Sequence, residues 1–186
     1  MTSPAVWYFM RGSGIVSLLL LTLVLVLGIA SFRRSRIGDL SGSVTRGLHR
    51  NASFLALSFL TLHVVLAIAD PDAAVGLLAV FVPFADAQAA FWVGLGSIAV
   101  DLLLLVVVTS LLRKHLTQRT WRRIHFASYA AWPVAWLHGV GMGSDNRTAW
   151  MLAIELLCLA AVGAAVVWRA FDERAALNRP NTIPAR

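Results

Sequence analysis

The chain has 186 residues, of which 59% are hydrophobic and 13% are charged, and its formal net charge is +7. A composition this apolar excludes an ordinary soluble globular domain. The positive charge does not indicate nucleic-acid binding, because the basic residues lie between long apolar stretches. No stretch shows the two-residue alternation of a membrane β-barrel. The sequence therefore predicts an all-α integral membrane protein.

Five apolar stretches approach or reach the ~20 residues that a helix needs to cross a bilayer. They cover residues 14–32, 47–69, 89–112, 124–143 and 149–168. The whole chain is predicted to form one transmembrane domain, a bundle of about five helices. The first stretch is not interpreted as a signal peptide, because its denser positive charge follows the apolar run instead of preceding it.

Between the second and third stretches, residues 70–88 contain an apolar core that is too short to cross the membrane. We predict an interfacial or re-entrant segment on the outer face at this position. A sixth crossing is the alternative, and it places the basic loops on opposite sides of the membrane. After the last stretch, residues 169–186 are expected to form a cytoplasmic tail that is partly disordered.

Fourteen of the sixteen Lys and Arg residues follow the first, third and fifth apolar stretches. Five crossings place these three regions on one side, and the positive-inside rule makes that side cytoplasmic. We therefore predict a multi-pass protein of the cell membrane with an extracytoplasmic N-terminus and a cytoplasmic C-terminus. The one cysteine, Cys158, excludes an intrachain disulfide and a covalent Cys-x-x-Cys-His haem attachment.

Four of the five histidines lie in two of the predicted helices. His49 and His63 are in the second stretch and His125 and His138 are in the fourth, and both stretches run outward. The separations of 14 and 13 residues correspond to about 21 and 19.5 Å along a helix. His49 and His125 therefore form one layer near the cytoplasmic end, which we call the inner pair. His63 and His138 form a second layer, the outer pair.

The two separations differ in how well they fit a straight helix. A step of 14 residues returns within about 40° of the same face, whereas a step of 13 leaves an offset of about 140°. Pro133 lies between His125 and His138 and could supply the distortion that corrects this offset. A single histidine could simply be a polar side chain satisfied by a neighbouring helix. Four histidines in two matched layers are harder to explain in this way, and a facing pair of imidazoles can hold haem iron axially. The absence of Cys and acidic partners beside them argues against a tetrahedral zinc site.

The run from Trp121 to Tyr129, Trp-Arg-Arg-Ile-His-Phe-Ala-Ser-Tyr, continues to Leu137-His138-Gly139. Together these residues resemble the signature of the ferric reductase-like transmembrane domain. That family includes the haem cores of NADPH oxidases and ferric reductases and the haem membrane subunit of bacterial methionine sulfoxide reductase systems. The resemblance implies two non-covalent b-type haems, an inner one on His49 and His125 and an outer one on His63 and His138.

The oxidases and ferric reductases continue into a cytoplasmic FAD and NADPH domain, whereas this chain shows no G-x-G-x-x-G fingerprint after a strand. We therefore expect a separate electron donor, with a flavin or quinone supplied by or shared with that partner. Four arginines flank the inner pair and are predicted to contact haem propionates, although anchoring at the cytoplasmic face also accounts for them. They are Arg46, Arg50, Arg122 and Arg123.

These features predict a transmembrane di-haem b electron-transfer protein. It passes electrons from a cytoplasmic flavin reductase or quinol to an extracytoplasmic redox protein or ferric chelate. One alternative is a terminal reductase whose outer haem reduces ferric chelates or oxygen, and another is a haem-free transport or assembly subunit with structural histidines. Asp101 and Glu155 lie within predicted helices, where both proton or haem handling and structural hydrogen bonding are open.

Overall fold

The computed structural model describes residues 4–31, 42–73, 75–85, 90–142, 145 and 147–177. Over these residues the chain forms helices and no strand, which confirms the predicted all-α fold. A short 3-10 turn, Arg113–His115, precedes the fifth helix. The α-helices of the described residues are α1 (Pro4–Ser31), α2 (Gly42–Ala69), α3 (Leu77–Phe81), α4 (Ala90–Leu111), α5 (Gln118–His125), α6 (Ala127–Gly141) and α7 (Ala149–Leu177).

Four of these helices, α1, α2, α4 and α7, are long and apolar enough to cross a membrane. Large apolar side chains cover their outer surfaces, as in Phe54, which is 62% exposed, and Leu157, which is 66% exposed. Soluble proteins rarely expose apolar area on this scale, whereas a helix that faces lipid requires it. The chain is therefore a multi-pass membrane protein.

The fourth predicted stretch, residues 124–143, does not form a single helix. Helix α5 ends at His125, Phe126 lies outside the helices, and α6 has 15 residues, fewer than the ~20 of a full crossing. A tight turn follows, in which the amide of Tyr129 donates a hydrogen bond of 3.0 Å to the carbonyl of Phe126. Helix α6 continues through Pro133. The interruption between His125 and His138 therefore lies at Phe126 and not at Pro133.

Three long helices extend past their predicted apolar stretches. Helices α1 and α2 begin at Pro4 and Gly42, before residues 14 and 47, and α7 continues to Leu177. Hydropathy marks only the part of a helix that faces hydrocarbon, whereas backbone hydrogen bonding continues into the interface. The first part of the tail predicted at residues 169–186 is thus helical, and its last part, residues 178–186, lies outside the described residues, so its predicted disorder stays a prediction.

The segment after α2 forms helix α3, whose five residues are too few for a sixth crossing. Ala79 is buried and its carbonyl accepts a hydrogen bond from Ser97 Oγ of α4, while Leu77 is exposed. Phe84, with φ of 66°, packs against Gly94 of α4, where a Cβ would overlap its ring and backbone. Glycine is required at this approach. These contacts hold the segment against the N-terminal half of α4.

Helix α1 lies at the centre of the bundle, because it packs against α2, α6 and α7. Trp132 of α6 donates from Nε1 to Thr22 Oγ1 of α1 over 2.9 Å. Helix α2 differs, since among the described helices it packs extensively against α1 alone. The buried core joins α1, α6 and α7 through Leu18, Leu25, Ile29, Trp132 and Cys158.

Candidate functional site

The structure brings the four membrane histidines together as two pairs. Each pair has one histidine on α2 and the other on α5 or α6, and we call the space between α2 and these two helices the gap beside α2. The ring centres of His49 and His125 are 6.4 Å apart, and their planes meet at 66°. The ring centres of His63 and His138 are 6.3 Å apart, and their planes meet at 75°. The inner and outer pairs thus have almost the same geometry in two separate layers.

This separation fits a metal ion held between two imidazoles. A metal–nitrogen bond is about 2.0–2.1 Å long, and the nitrogen lies about 1.1 Å from the centre of its ring. Two imidazoles on opposite sides of one metal ion therefore have ring centres about 6.3 Å apart. Among the described residues, no group of three or more His, Cys, Asp or Glu side chains could hold a metal ion. Each pair therefore offers two nitrogen ligands, the donor set that haem iron needs when porphyrin supplies the others.

Backbone carbonyls orient three of the four rings through Nδ1. A carbonyl oxygen only accepts, so each of these Nδ1 atoms carries the hydrogen and Nε2 is left unprotonated for a metal. The Nδ1 atoms of His49, His63 and His138 donate to the carbonyls of Val24 (3.0 Å), Met10 (2.9 Å) and Trp92 (2.8 Å).

Glycines on the neighbouring helices allow these three rings to approach. A Cβ on Gly14 would lie 2.9 Å from His63 Nδ1, and a Cβ on Gly96 would lie 2.8 Å from His138 Cε1. A Cβ on Gly28 would lie 3.3 Å from His49 Cε1. The distances at Gly14 and Gly96 are well below van der Waals contact, so a side chain at either position displaces the histidine ring. These glycines were not among the site residues predicted from the sequence.

A signal for two of the glycines was present in the sequence. Gly14 and Gly28 are 14 residues apart on α1, the same separation as His49 and His63 on α2. Because α1 and α2 are antiparallel, Gly14 meets His63 and Gly28 meets His49. Helix α1 therefore supplies one glycine to each layer, a role that the hydropathy of this helix did not indicate.

His125 is supported differently from the other three histidines. Its Nδ1 is buried and has no hydrogen-bond partner among the described residues. Its ring instead stacks on Trp121, one turn earlier in α5, with centres 4.8 Å apart and planes 24° apart. The guanidinium carbon of Arg113 lies 4.4 Å from the centre of the Trp121 ring, a cation–π contact. Stacking on Trp121 thus orients the His125 ring, whereas a backbone carbonyl orients each of the other three rings.

A cavity of about 340 Å³ contains the outer pair. Side chains of α1, α2, α4, α6 and the α3 segment line it, and most of them are apolar. Arg11 is one of the few charged groups in the lining. It forms an ion pair with Asp145 at 2.5 Å and donates to the carbonyl of Met142 over 2.6 Å. These bonds tie the start of α1 to the end of α6 beside the outer pair.

The four arginines predicted beside the inner pair occupy exposed positions on two helices. Arg46 and Arg50 lie one turn apart on α2. Helix α5 carries the other two, which border a basic surface depression lined by Gln118, Arg119, Arg122, Arg123 and Phe126. The contact of these four arginines with haem propionates stays a prediction.

The two acidic residues noted within the predicted helices have different surroundings. Asp101 is half-buried on α4. Glu155 on α7 is 3% exposed, and its Oε1 has no hydrogen-bond partner among the described residues. Its backbone carbonyl accepts from Trp136 Nε1 over 3.1 Å. Neither carboxyl group lines the cavity of the outer pair.

The fold and the histidine pairs define a class, an all-α membrane protein with imidazoles paired in two layers. Residues 13–136 match the family model of the ferric reductase like transmembrane component. Because this match covers more than half of the chain, the chain belongs to that family. It is therefore a membrane oxidoreductase component with an electron-transfer role. The matched range ends two residues before His138. Comparisons with curated proteins and with solved structures find no match.

Proposed function

We propose that the chain holds two b-type haems, one at each histidine pair, and transfers electrons across the membrane. The observation that carries this proposal is the near-equal separation of the rings, 6.4 Å in the inner pair and 6.3 Å in the outer pair. Haem bound between two imidazoles supplies a one-electron carrier. The carbonyl bonds and the Trp121 stack orient the rings, and mostly apolar side chains surround the outer pair.

We propose that electrons move outward, with the N-terminus outside the cell membrane and the C-terminus in the cytoplasm. The histidines of α2 are about 21 Å apart along the helix, much of the ~30 Å hydrocarbon thickness. A donor can therefore react at one face and an acceptor at the other. A membrane potential that is negative inside favours outward electron movement by about 2.3 kcal/mol per 100 mV for a full crossing.

The proposed donor is a separate flavin reductase or a membrane quinol, and the acceptor is an extracytoplasmic redox protein or ferric chelate. Three exposed arginines of α5, Arg119, Arg122 and Arg123, border the depression on the side of the inner pair. A positively charged surface of this kind accelerates encounter with an acidic donor protein and makes its rate depend on salt. The flavin or quinone is thus assigned to the partner.

The direct test is transfer across a vesicle membrane. Protein loaded with haem is reconstituted in one orientation, a flavin reductase with NADPH is supplied on the arginine-rich side, and an impermeant ferric chelate is enclosed on the other. We expect reduction of the chelate only with the reductase present. A matched sample carrying His63→Ala is expected to lose transfer. Failure of both flavin and quinol donors with protein containing two haems would contradict the transmembrane role.

Trp121 is expected to position the inner pair. In Trp121→Leu, His125 loses its stacking partner and has no carbonyl to replace it, so haem affinity at the inner pair should fall about two- to tenfold. Trp121→Phe keeps an aromatic face and should stay close to the unmodified protein. The angle between ligand rings affects the low-spin haem EPR signal, so the inner signal should shift while the outer signal does not. An unchanged inner signal in Trp121→Leu would contradict this role.

A further inference from the structure

The turn between α4 and α5 brings Arg113 against the support of the inner pair. The amide of Leu116 donates to the carbonyl of Arg113 over 3.2 Å. Thr117 then caps the start of α5, because its Oγ1 accepts from the amide of Thr120 over 3.2 Å. As a result Arg113 and Trp121, eight residues apart in the chain, are in contact, with the guanidinium carbon 4.4 Å from the centre of the Trp121 ring.

Two contacts hold the guanidinium group of Arg113 in this place. One is the cation–π contact with Trp121. The other is a hydrogen bond of 3.3 Å that Arg113 Nη2 donates to Gln118 Oε1. On α5 the Trp121 ring also stacks on His125. Arg113, Trp121 and His125 thus form a connected series from an exposed cation to a histidine of the inner pair, which we call the Arg113 stack.

The charge of Arg113 lies within electrostatic range of a metal ion bound by His125. The separations of 4.4 Å and 4.8 Å along the Arg113 stack put the guanidinium carbon within about 9 Å of the centre of the His125 ring. A bound metal lies about 3 Å from that ring centre, and so within about 12 Å of the charge. At an effective dielectric constant of about 20, a unit charge at this distance changes a one-electron equilibrium about tenfold.

The two histidine layers differ in their surrounding charge. Residues 102–144, which include the 3-10 turn, α5 and α6, contain no Asp or Glu, and α2 contains none either. No acidic residue of the elements that carry the inner pair therefore balances Arg113. At the outer pair, by contrast, Arg11 lines the cavity and forms an ion pair with Asp145. Positive charge thus accumulates at the inner layer.

We propose that Arg113 favours electron entry at the inner pair, because its charge, held beside His125 by Trp121, raises the reduction potential of haem there. The inference rests on the proposed function, since it requires haem at the inner pair. One electron from the donor adds one negative charge at this layer, and the nearby positive charge of Arg113 stabilises it. The inner layer therefore accepts an electron more readily than it would without Arg113.

The test is a redox titration of the purified, haem-loaded protein and two variants. Arg113→Gln removes the charge and keeps a planar group that can cover Trp121. The equilibrium constant for reduction of the inner haem should fall about two- to tenfold, since solvent screens an exposed charge. A tenfold fall corresponds to about 59 mV for one electron. Arg113→Lys keeps the charge and should keep the potential, and the outer haem should be unchanged in both variants.

Lys114→Gln is the matched control. Lys114 follows Arg113 in the same 3-10 turn, is also exposed and carries the same charge. It is not part of the Arg113 stack, so its substitution should shift the inner potential much less. Salt distinguishes charge from structure, because the Debye length falls to about 3 Å at 1 M. The difference between the unmodified protein and Arg113→Gln should therefore shrink at 1 M salt, whereas a purely structural effect would persist.

The inner EPR signal should stay the same in Arg113→Gln, because the angle between the ligand rings is retained. Two haems with an unchanged inner potential in Arg113→Gln would overturn the role of Arg113 and leave the proposed function intact. An equal shift in Arg113→Lys or in Lys114→Gln, or a shift that persists at 1 M salt, would do the same. Folded protein that binds no haem would overturn both.

Discussion

His63→Ala is expected to yield a protein that binds one haem instead of two and retains the one at the inner pair. The outer site then has a single imidazole, His138, and loses a bond to the metal. Losing only the hydrogen-bond partner that orients a ligand already costs about 10–100-fold in metal affinity. Haem affinity at the outer pair should therefore fall by more than about 100-fold. His49→Ala should show the opposite result, with only the outer haem retained. Haem content per chain and the number of redox steps measure both effects.

The fifth histidine provides a matched control. His115 lies in the 3-10 turn after α4, where it is exposed and belongs to neither pair. His115→Ala should therefore retain two haems and two redox steps. The pairing is wrong if His63→Ala retains both haems, or if it removes the haem whose EPR signal responds to Trp121.

Gly96→Ala is expected to weaken haem binding at the outer pair although no ligand is changed. The new methyl carbon would lie 2.8 Å from His138 Cε1 and 2.9 Å from its Nδ1. The ring must move, which disturbs the 2.8 Å hydrogen bond to the carbonyl of Trp92. Overpacking of this kind typically costs about 1–3 kcal/mol, and loss of an orienting hydrogen bond costs about 10- to 100-fold in metal affinity. Haem titration of the purified variant measures the loss.

Gly163→Ala on α7 is the control for this substitution. A Cβ at Gly163 meets no atom within 4 Å, so the same chemical change has room there. Alanine is favoured over glycine in a helix by about 1 kcal/mol, and this variant should be as stable as the unmodified protein or slightly more so. Equal haem affinity in the two variants would show that the space beside His138 does not limit binding.

Much of the architecture follows from one-dimensional patterns in the sequence. Lipid selects long apolar runs, so the approximate positions of α1, α2, α4 and α7 could be predicted from hydropathy. The pairing of the histidines could be predicted from their spacing, because helices that run in the same direction place residues in matching layers. Both predictions depend on the regular rise and rotation of a helix, so they require only the spacing of residues along the sequence.

The features that depend on contacts between distant residues could not be predicted in this way. The carbonyls that orient His49, His63 and His138 belong to residues whose identity does not matter, so no side-chain pattern marks them. The interruption at Phe126 involves neither proline nor glycine, so the sequence pointed to Pro133 instead.

If haem occupies the two pairs as proposed, the gap beside α2 ties the biogenesis of this protein to the supply of haem. Among the described helices, α2 packs extensively only against α1, so the haem proposed at the two pairs would join it to α5 and α6. A ligand that binds only the folded state stabilises that state by about 4.1 kcal/mol at 1,000 times its Kd. In cells starved of haem, we expect α2 to remain loosely attached and its histidines to lie exposed to lipid. We then expect membrane proteases to remove the apoprotein, so that haem supply sets its abundance.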